Sequence, residues 1–155
     1  MDIWLPDLKY ESSDLSARYS QAPFYFQTAT KAISQMIRQT GAPKLRTIPG
    51  EAAPVMERGV IIRHLVLPGQ KEDSIRLMHW LADSLPQNSF YISLMSQYTP
   101  YEKNPQFPEL NRRITSYEYQ KVVDAALELG LTQGFMQEKS SAKEEYTPAF
   151  DLEGL

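Results

Sequence analysis

Apolar positions along the chain recur with two periods, and the switches between them mark the elements. Asp2-Ile3-Trp4-Leu5-Pro6-Asp7-Leu8-Lys9-Tyr10 opens as an apolar run and predicts a first strand. Gly59-Val60-Ile61-Ile62-Arg63-His64-Leu65-Val66-Leu67-Pro68-Gly69 is a run of β-branched residues and Leu bounded by Gly and Pro-Gly, which predicts a strand buried on both faces. Such strands belong to parallel sheets covered by helices. Ser89 to Ser96 alternates and is rich in aromatic and apolar residues, the pattern of a third strand. Between these runs the period becomes helical. Ala29, Ala32, Ile33, Met36 and Ile37 form one stripe that ends at Gly41, with Pro43 beyond. Ile75, Met78, Leu81, Ala82 and Leu85 form a second, led in by Glu72-Asp73-Ser74 as capping residues and stopped by Pro86. Tyr119, Val122, Val123, Ala126, Leu127 and Leu129 form a third, opened by a Thr115-Ser116-Tyr117-Glu118 capping box and closed by Gly130.

The remaining stretches are connections. Ser12-Ser13-Asp14 starts a polar segment that runs through Arg18-Tyr19 to Ala22-Pro23, and residues 42–58, with three prolines, are expected to be loop. Thr99 to Ile114 also carries three prolines and is too long for a simple connection, so it is expected to be a lid or a packed flap. Gly134 to Glu138 reads as a short final strand. Residues 139–155 are polar and rich in Glu, Lys and Ser, the composition of a mobile tail. The order strand, helix, strand, helix, strand, helix predicts an α/β fold of three consecutive parallel β/α units with the helices outside. Three strands are too few to close a barrel, for which about 8 are usual, and they leave two raw edges. Residues 1–138 are therefore expected to be half of a larger barrel.

Composition narrows the function classes. The chain has 155 residues and a net charge of −3, with Lys and Arg scattered, so no basic stripe tracks a phosphate backbone and nucleic acid is not an expected partner. No apolar run approaches the ~20 residues of a membrane span, and the N-terminus has no signal-peptide pattern, which makes a cytoplasmic protein the expectation. An apolar strand directly after Met1 further suggests that sequence upstream has been lost. Cysteine is absent, which removes disulfides, thiolate catalysis and iron–sulfur ligation from this chain.

Candidate chemistry gathers at the strand ends. Asp7 and Lys9 share a parity at the end of the first strand and form either a salt bridge that caps the strand or part of a site. Arg63 and His64 interrupt the buried strand on opposite faces, so one looks into a cavity and the other towards the helices. Gln97 and Tyr98 close the third strand. Arg112-Arg113 is either a solvated surface or an anion site. His79 lacks a second ligand at helical spacing and reads as a surface residue rather than a metal ligand. In barrels of this type the chemistry sits at the C-terminal ends of the strands.

Four segments carry a family resemblance: Asp2-Ile-Trp-Leu-Pro-Asp-Leu-Lys-Tyr10, Val60-Ile-Ile-Arg-His-Leu-Val-Leu-Pro-Gly69, Tyr91-Ile-Ser-Leu-Met-Ser-Gln-Tyr98 and Pro108-Glu-Leu-Asn-Arg-Arg-Ile-Thr115. From Asp2 to about Gly130 the chain resembles the C-terminal half of radical S-adenosylmethionine proteins similar to pyruvate formate-lyase activating enzymes. The resemblance implies the last three units of a partial (β/α)6 TIM-like barrel, with the buried strand the fifth of six. In that family a four-iron four-sulfur cluster reductively cleaves S-adenosylmethionine, and the 5′-deoxyadenosyl radical abstracts a hydrogen atom. Activating enzymes take it from a glycine of a glycyl-radical protein. By resemblance, Asp7 and Lys9 match an Asp-Leu-Lys motif facing the cofactor, and Arg63 matches the arginine of the Ile-Arg strand. Tyr98 falls where many activating enzymes place a cofactor-touching His. The family's CxxxCxxC motif and Gly-Gly-Glu segment lie in the other half. This chain has no cysteine and no Gly-Gly pair, so it is expected to be silent alone and to contribute a partial site. Two further readings stand beside it: an interaction module that pairs an exposed edge with another chain, its missing N-terminal half or a second copy, and a small α/β protein that binds an anionic metabolite at Lys9 and Arg63.

Overall fold

The computed structural model describes residues 2–50, 55–98, 106–131 and 134–136. In chain order the elements are β1 (Asp2–Trp4), α1 (Ser13–Ser20), α2 (Tyr25–Thr40), β2 (Lys44–Arg46), β3 (Val55–Leu65), α3 (Lys71–Ser84), β4 (Tyr91–Met95), a 3₁₀ turn (Pro108–Asn111), α4 (Ser116–Glu128) and β5 (Gly134–Met136). The strands β1, β3, β4 and β5 lie side by side in that order and are mutually parallel, while β2 pairs antiparallel with the start of β3. The α/β class and the parallel sheet thus agree with the sequence pattern.

Strand alternation sorts the residues onto two faces. Val60, Ile62, His64 and Val66 point to one face with Ile92 and Leu94, where they pack with Ile33 and Ile37 of α2, Leu77, Met78 and Leu81 of α3, and Tyr119, Val122 and Ala126 of α4. Three helices therefore share one face. Arg63, Leu65 and Met95 have the opposite parity and are only partly covered.

Several boundaries differ from the expectation, each for a physical reason. The first strand stops at Trp4 because Pro6 has no N–H to give to β3. The register Asp2↔Arg58 nevertheless resumes unshifted at Asp7↔Arg63, where the Arg63 N–H donates to Pro6 C=O at 2.9 Å and the Leu8 N–H donates to Arg63 C=O at 2.8 Å. The stretch expected to be loop, residues 42–58, instead contains β2 and the first turn of pairing of β3, which begins at Val55. Gly59 lies where β3 exchanges β2 for β4; its φ is +139°, and a Cβ there would stand 3.0 Å from the Pro43 Cα, so only glycine fits. The expected polar connection contains α1, whose sole large buried side chain is Leu15. Ala32 and Leu127 are exposed rather than in the apolar stripes, and Leu77, outside the expected stripe, is fully buried. The expected tail, residues 139–155, and part of the Thr99 to Ile114 excursion lie outside the described residues.

Candidate functional site

The C-terminal ends of β3 and β4 and the segment after β1 surround a cleft of about 290 Å³, lined by Asp7, Lys9, Tyr10, Arg63, Leu65, Leu67, Met95 and Tyr98. Asp7, Lys9, Arg63 and Tyr98, the residues singled out in the sequence, are all among these. They arrive from three separate stretches of chain, and alternation aims Asp7 and Lys9 one way while Leu8 between them is fully buried in the core.

Asp7 and Arg63 form an ion pair, with the Arg63 Nε–H donating to Asp7 Oδ1 at 2.8 Å; the Arg63 side chain is 26% and that of Asp7 45% exposed. At that exposure the pair contributes about 1 kcal/mol or less to stability, so its main effect is orientation. Among the described residues Arg63 uses only Nε, which leaves its terminal guanidinium nitrogens available to a ligand. Lys9 is exposed and makes no ion pair among the described residues. The Tyr98 hydroxyl donates to Leu110 C=O at 2.8 Å, and burial pushes its pKa up. Leu65, Leu67, Met95 and the Tyr10 ring supply apolar surface.

The opposite face of the same strands is held by His64, which is 2% exposed. Its Nδ1 lies 2.7 Å from Leu8 C=O and its Nε2 2.7 Å from Ser74 Oγ. A carbonyl only accepts, so Nδ1 carries the proton and Nε2 accepts from the Ser74 hydroxyl. Arg63 and His64 therefore divide between cleft and helix layer as alternation predicts. Glu72 and Asp73 stand in the first turn of α3 and complement its positive end as expected, but neither they nor Ser74 caps it: Asp73 accepts from the N–H groups of Glu11 at 3.0 Å and Ser12 at 2.8 Å, at the start of α1.

The described part of the Thr99 to Ile114 excursion is a packed flap. Phe107 meets the Tyr19 ring edge-on at 5.0 Å, Arg18 lies over both rings, and Glu109 takes a hydrogen bond from the Tyr19 hydroxyl and an ion pair from Arg18 at 3.3 Å. Burial, reinforced by Glu109, pushes the Tyr19 hydroxyl up to about 12. Arg112 is not an anion site: it makes a two-pronged pair with Glu118, each bond 2.9 Å. That guanidinium, with the Thr115 and Gly69 N–H groups, holds the Glu118 carboxyl down at about 2. Among the described residues no three His, Asp or Glu side chains group as a metal site, and no helix is long and apolar enough to cross a membrane.

Two sets of residues, one lining the cleft and one supporting its Asp7 to Lys9 segment, were not singled out in the sequence. Leu65, Leu67 and Met95 follow from strand parity once Arg63 is placed in the cavity. Tyr25, whose hydroxyl touches the backbone of Asp7 and Lys9, has no sequence signal, because its partners are backbone groups of a distant stretch.

No family model matches the chain, and no solved structure matches it. The chain is similar to uncharacterized protein MJ0674 of Methanocaldococcus jannaschii, 24% identical over 127 residues that cover 81% of this chain and 31% of the relative. The chain thus matches about a third of that protein's length, and the relative's name assigns it no activity.

Proposed function

We propose that this chain is the C-terminal half of a radical S-adenosylmethionine protein similar to pyruvate formate-lyase activating enzymes, and that its cleft is part of the S-adenosylmethionine site. The observation that carries this is the meeting of Asp7, Lys9, Arg63 and Tyr98, the residues the family resemblance names, in one cleft. Parallel strands adjacent in chain order, with α2, α3 and α4 on one face, are what a segment of a partial (β/α)6 barrel requires.

The chemistry of the donor set fits S-adenosylmethionine. That molecule carries an ammonium and a carboxylate at one end and an apolar-faced adenine at the other. The cleft offers Asp7 for a cationic group, Lys9 and Arg63 for an anionic one, and Leu65, Leu67, Met95 and Tyr10 as apolar surface. When cleaved reductively, the cofactor supplies the 5′-deoxyadenosyl radical. The chain's own residues bind and orient it: Arg63 fixes Asp7, and Lys9 stands free to neutralise the carboxylate. An iron–sulfur cluster does not fit this chain, which has no cysteine to hold one, so the cluster and the reductive step belong to the other half. A glycyl-radical protein is the partner this reading implies for the whole enzyme.

Titration calorimetry with S-adenosylmethionine tests the assignment. The expected result is saturable binding that weakens at least fivefold in Lys9→Ala and Arg63→Ala. No heat from the folded wild-type chain, or uptake of a stoichiometric cluster on reconstitution, overturns it. The free Lys9 ammonium favours a second reading, a site for a small anionic metabolite; competition by inorganic phosphate at equal affinity would select that instead.

A further inference from the structure

In an extended strand the N–H and C=O of one residue point to one edge and those of the next residue to the other. After β1, Pro6 C=O and Leu8 N–H face β3, so Asp7 C=O and Lys9 N–H face the outer edge. No described strand lies on that edge. Left bare, these two groups would form the kind of open edge that invites strand addition. Both are nevertheless taken: the Tyr25 hydroxyl donates to Asp7 C=O at 2.8 Å and accepts from Lys9 N–H at 3.0 Å.

One hydroxyl therefore makes both hydrogen bonds that a neighbouring strand would make there. Its own position is fixed from behind. Tyr25 stands in the first turn of α2, and its ring meets Tyr10 edge-on with centroids 5.7 Å apart at 73°. On the other edge Leu8 is fastened by the Arg63 carbonyl, and on the core side by His64. The three residues Asp7-Leu8-Lys9 are held on three sides, and only the cleft side is open.

We infer that Tyr25 stands in for a neighbouring strand at the cleft end of β1 and is thereby the positioning residue for Asp7 and Lys9. A strand that adds to this edge can pair with Ile3 to Leu5, but at Asp7 and Lys9 it meets a hydroxyl already in place. The aim of the Asp7 carboxylate at Arg63 and of the Lys9 ammonium at the cleft then does not depend on any partner chain. Its bearing on ligand affinity rests on the function proposed above; the geometry of the segment does not.

Tyr25→Phe keeps the ring and deletes the hydroxyl. The expected result by amide hydrogen exchange is at least tenfold faster exchange at Lys9, with the Leu8 amide, bonded to Arg63, unchanged as the reference for an intact fold. The Arg63 Nε–H resonance, which reports the bond to Asp7, is expected to shift, and S-adenosylmethionine affinity to fall severalfold. An unchanged Lys9 exchange rate or an unchanged Arg63 Nε–H signal overturns the positioning role. If wild-type protein binds no S-adenosylmethionine, the proposed function fails while these two readouts still decide on Tyr25. Should Tyr25→Phe unfold, the wild-type spectrum decides: a through-space contact between the Tyr25 ring Hε and the Lys9 amide supports the role, and its absence overturns it.

Discussion

His64 is clasped through both ring nitrogens, by Leu8 C=O on one side and the Ser74 hydroxyl on the other. Burial lowers its pKa, because a charged imidazolium would have to leave water. The unfolded chain therefore binds the proton more readily than the folded one. The stability that this clasp contributes is complete above the ordinary His value near 6.5 and is lost as pH falls below it towards the depressed folded pKa. Urea unfolding should show a falling midpoint between about pH 7 and pH 5. His64→Gln should cost about 1–3 kcal/mol at pH 7 and flatten that slope; an equal slope in the variant would exclude His64 as its source. Alternation alone put Arg63 and His64 on opposite faces, and the family resemblance assigned Arg63 to the cavity. Their partners were illegible, since Leu8, Ser74 and Asp7 are brought to them by the register of β1 on β3.

At the scale of elements, α1 shows how a helix escapes a pattern search. It has eight residues, Ser13–Ser20, and buries little beyond Leu15 and Ser16, so no apolar stripe announces it. It is held from outside. The Ser12 hydroxyl accepts from Asp14 and Leu15 N–H groups, and Asp73 of α3 accepts from Glu11 and Ser12. Asp73→Ala should leave two N–H groups without their acceptor and cost about 1–3 kcal/mol, with exchange protection lost first across residues 11–20. Uniform loss across the chain would mean that α1 is not a separately fastened unit. The longer helices were legible because their apolar faces repeat over several turns, and the capping box of α4 was legible because it is wholly local. β2 was not: its three residues are exposed and lie among prolines, and only their pairing with β3 makes them a strand.

For the molecule as a whole, the parallel sheet and its helical cover could be read from one buried strand, and the convergence of Asp7, Lys9, Arg63 and Tyr98 from their places at strand ends. Pro6 and Tyr25 were the parts that pattern could not supply, one interrupting β1 and the other closing its edge. What remains open on β1 is its first residues, where Trp4 is 41% exposed. An edge that pairs with a second copy predicts a concentration-dependent dimer in sedimentation, reduced by Trp4→Lys. A clean monomer over the accessible concentration range, unaffected by that substitution, would remove self-pairing from consideration.

The Glu118 carboxylate closes the first turn of α4 and at the same time accepts from Gly69 N–H at 2.7 Å and from both prongs of Arg112. The positive pole of that helix is therefore already complemented by an anion of the protein's own. A phosphate or carboxylate arriving at this end of the sheet finds no free helix terminus in α4 to receive it. Under the function proposed above, an anionic ligand in the cleft is therefore met by side-chain cations, Lys9 foremost, and not by the start of α4.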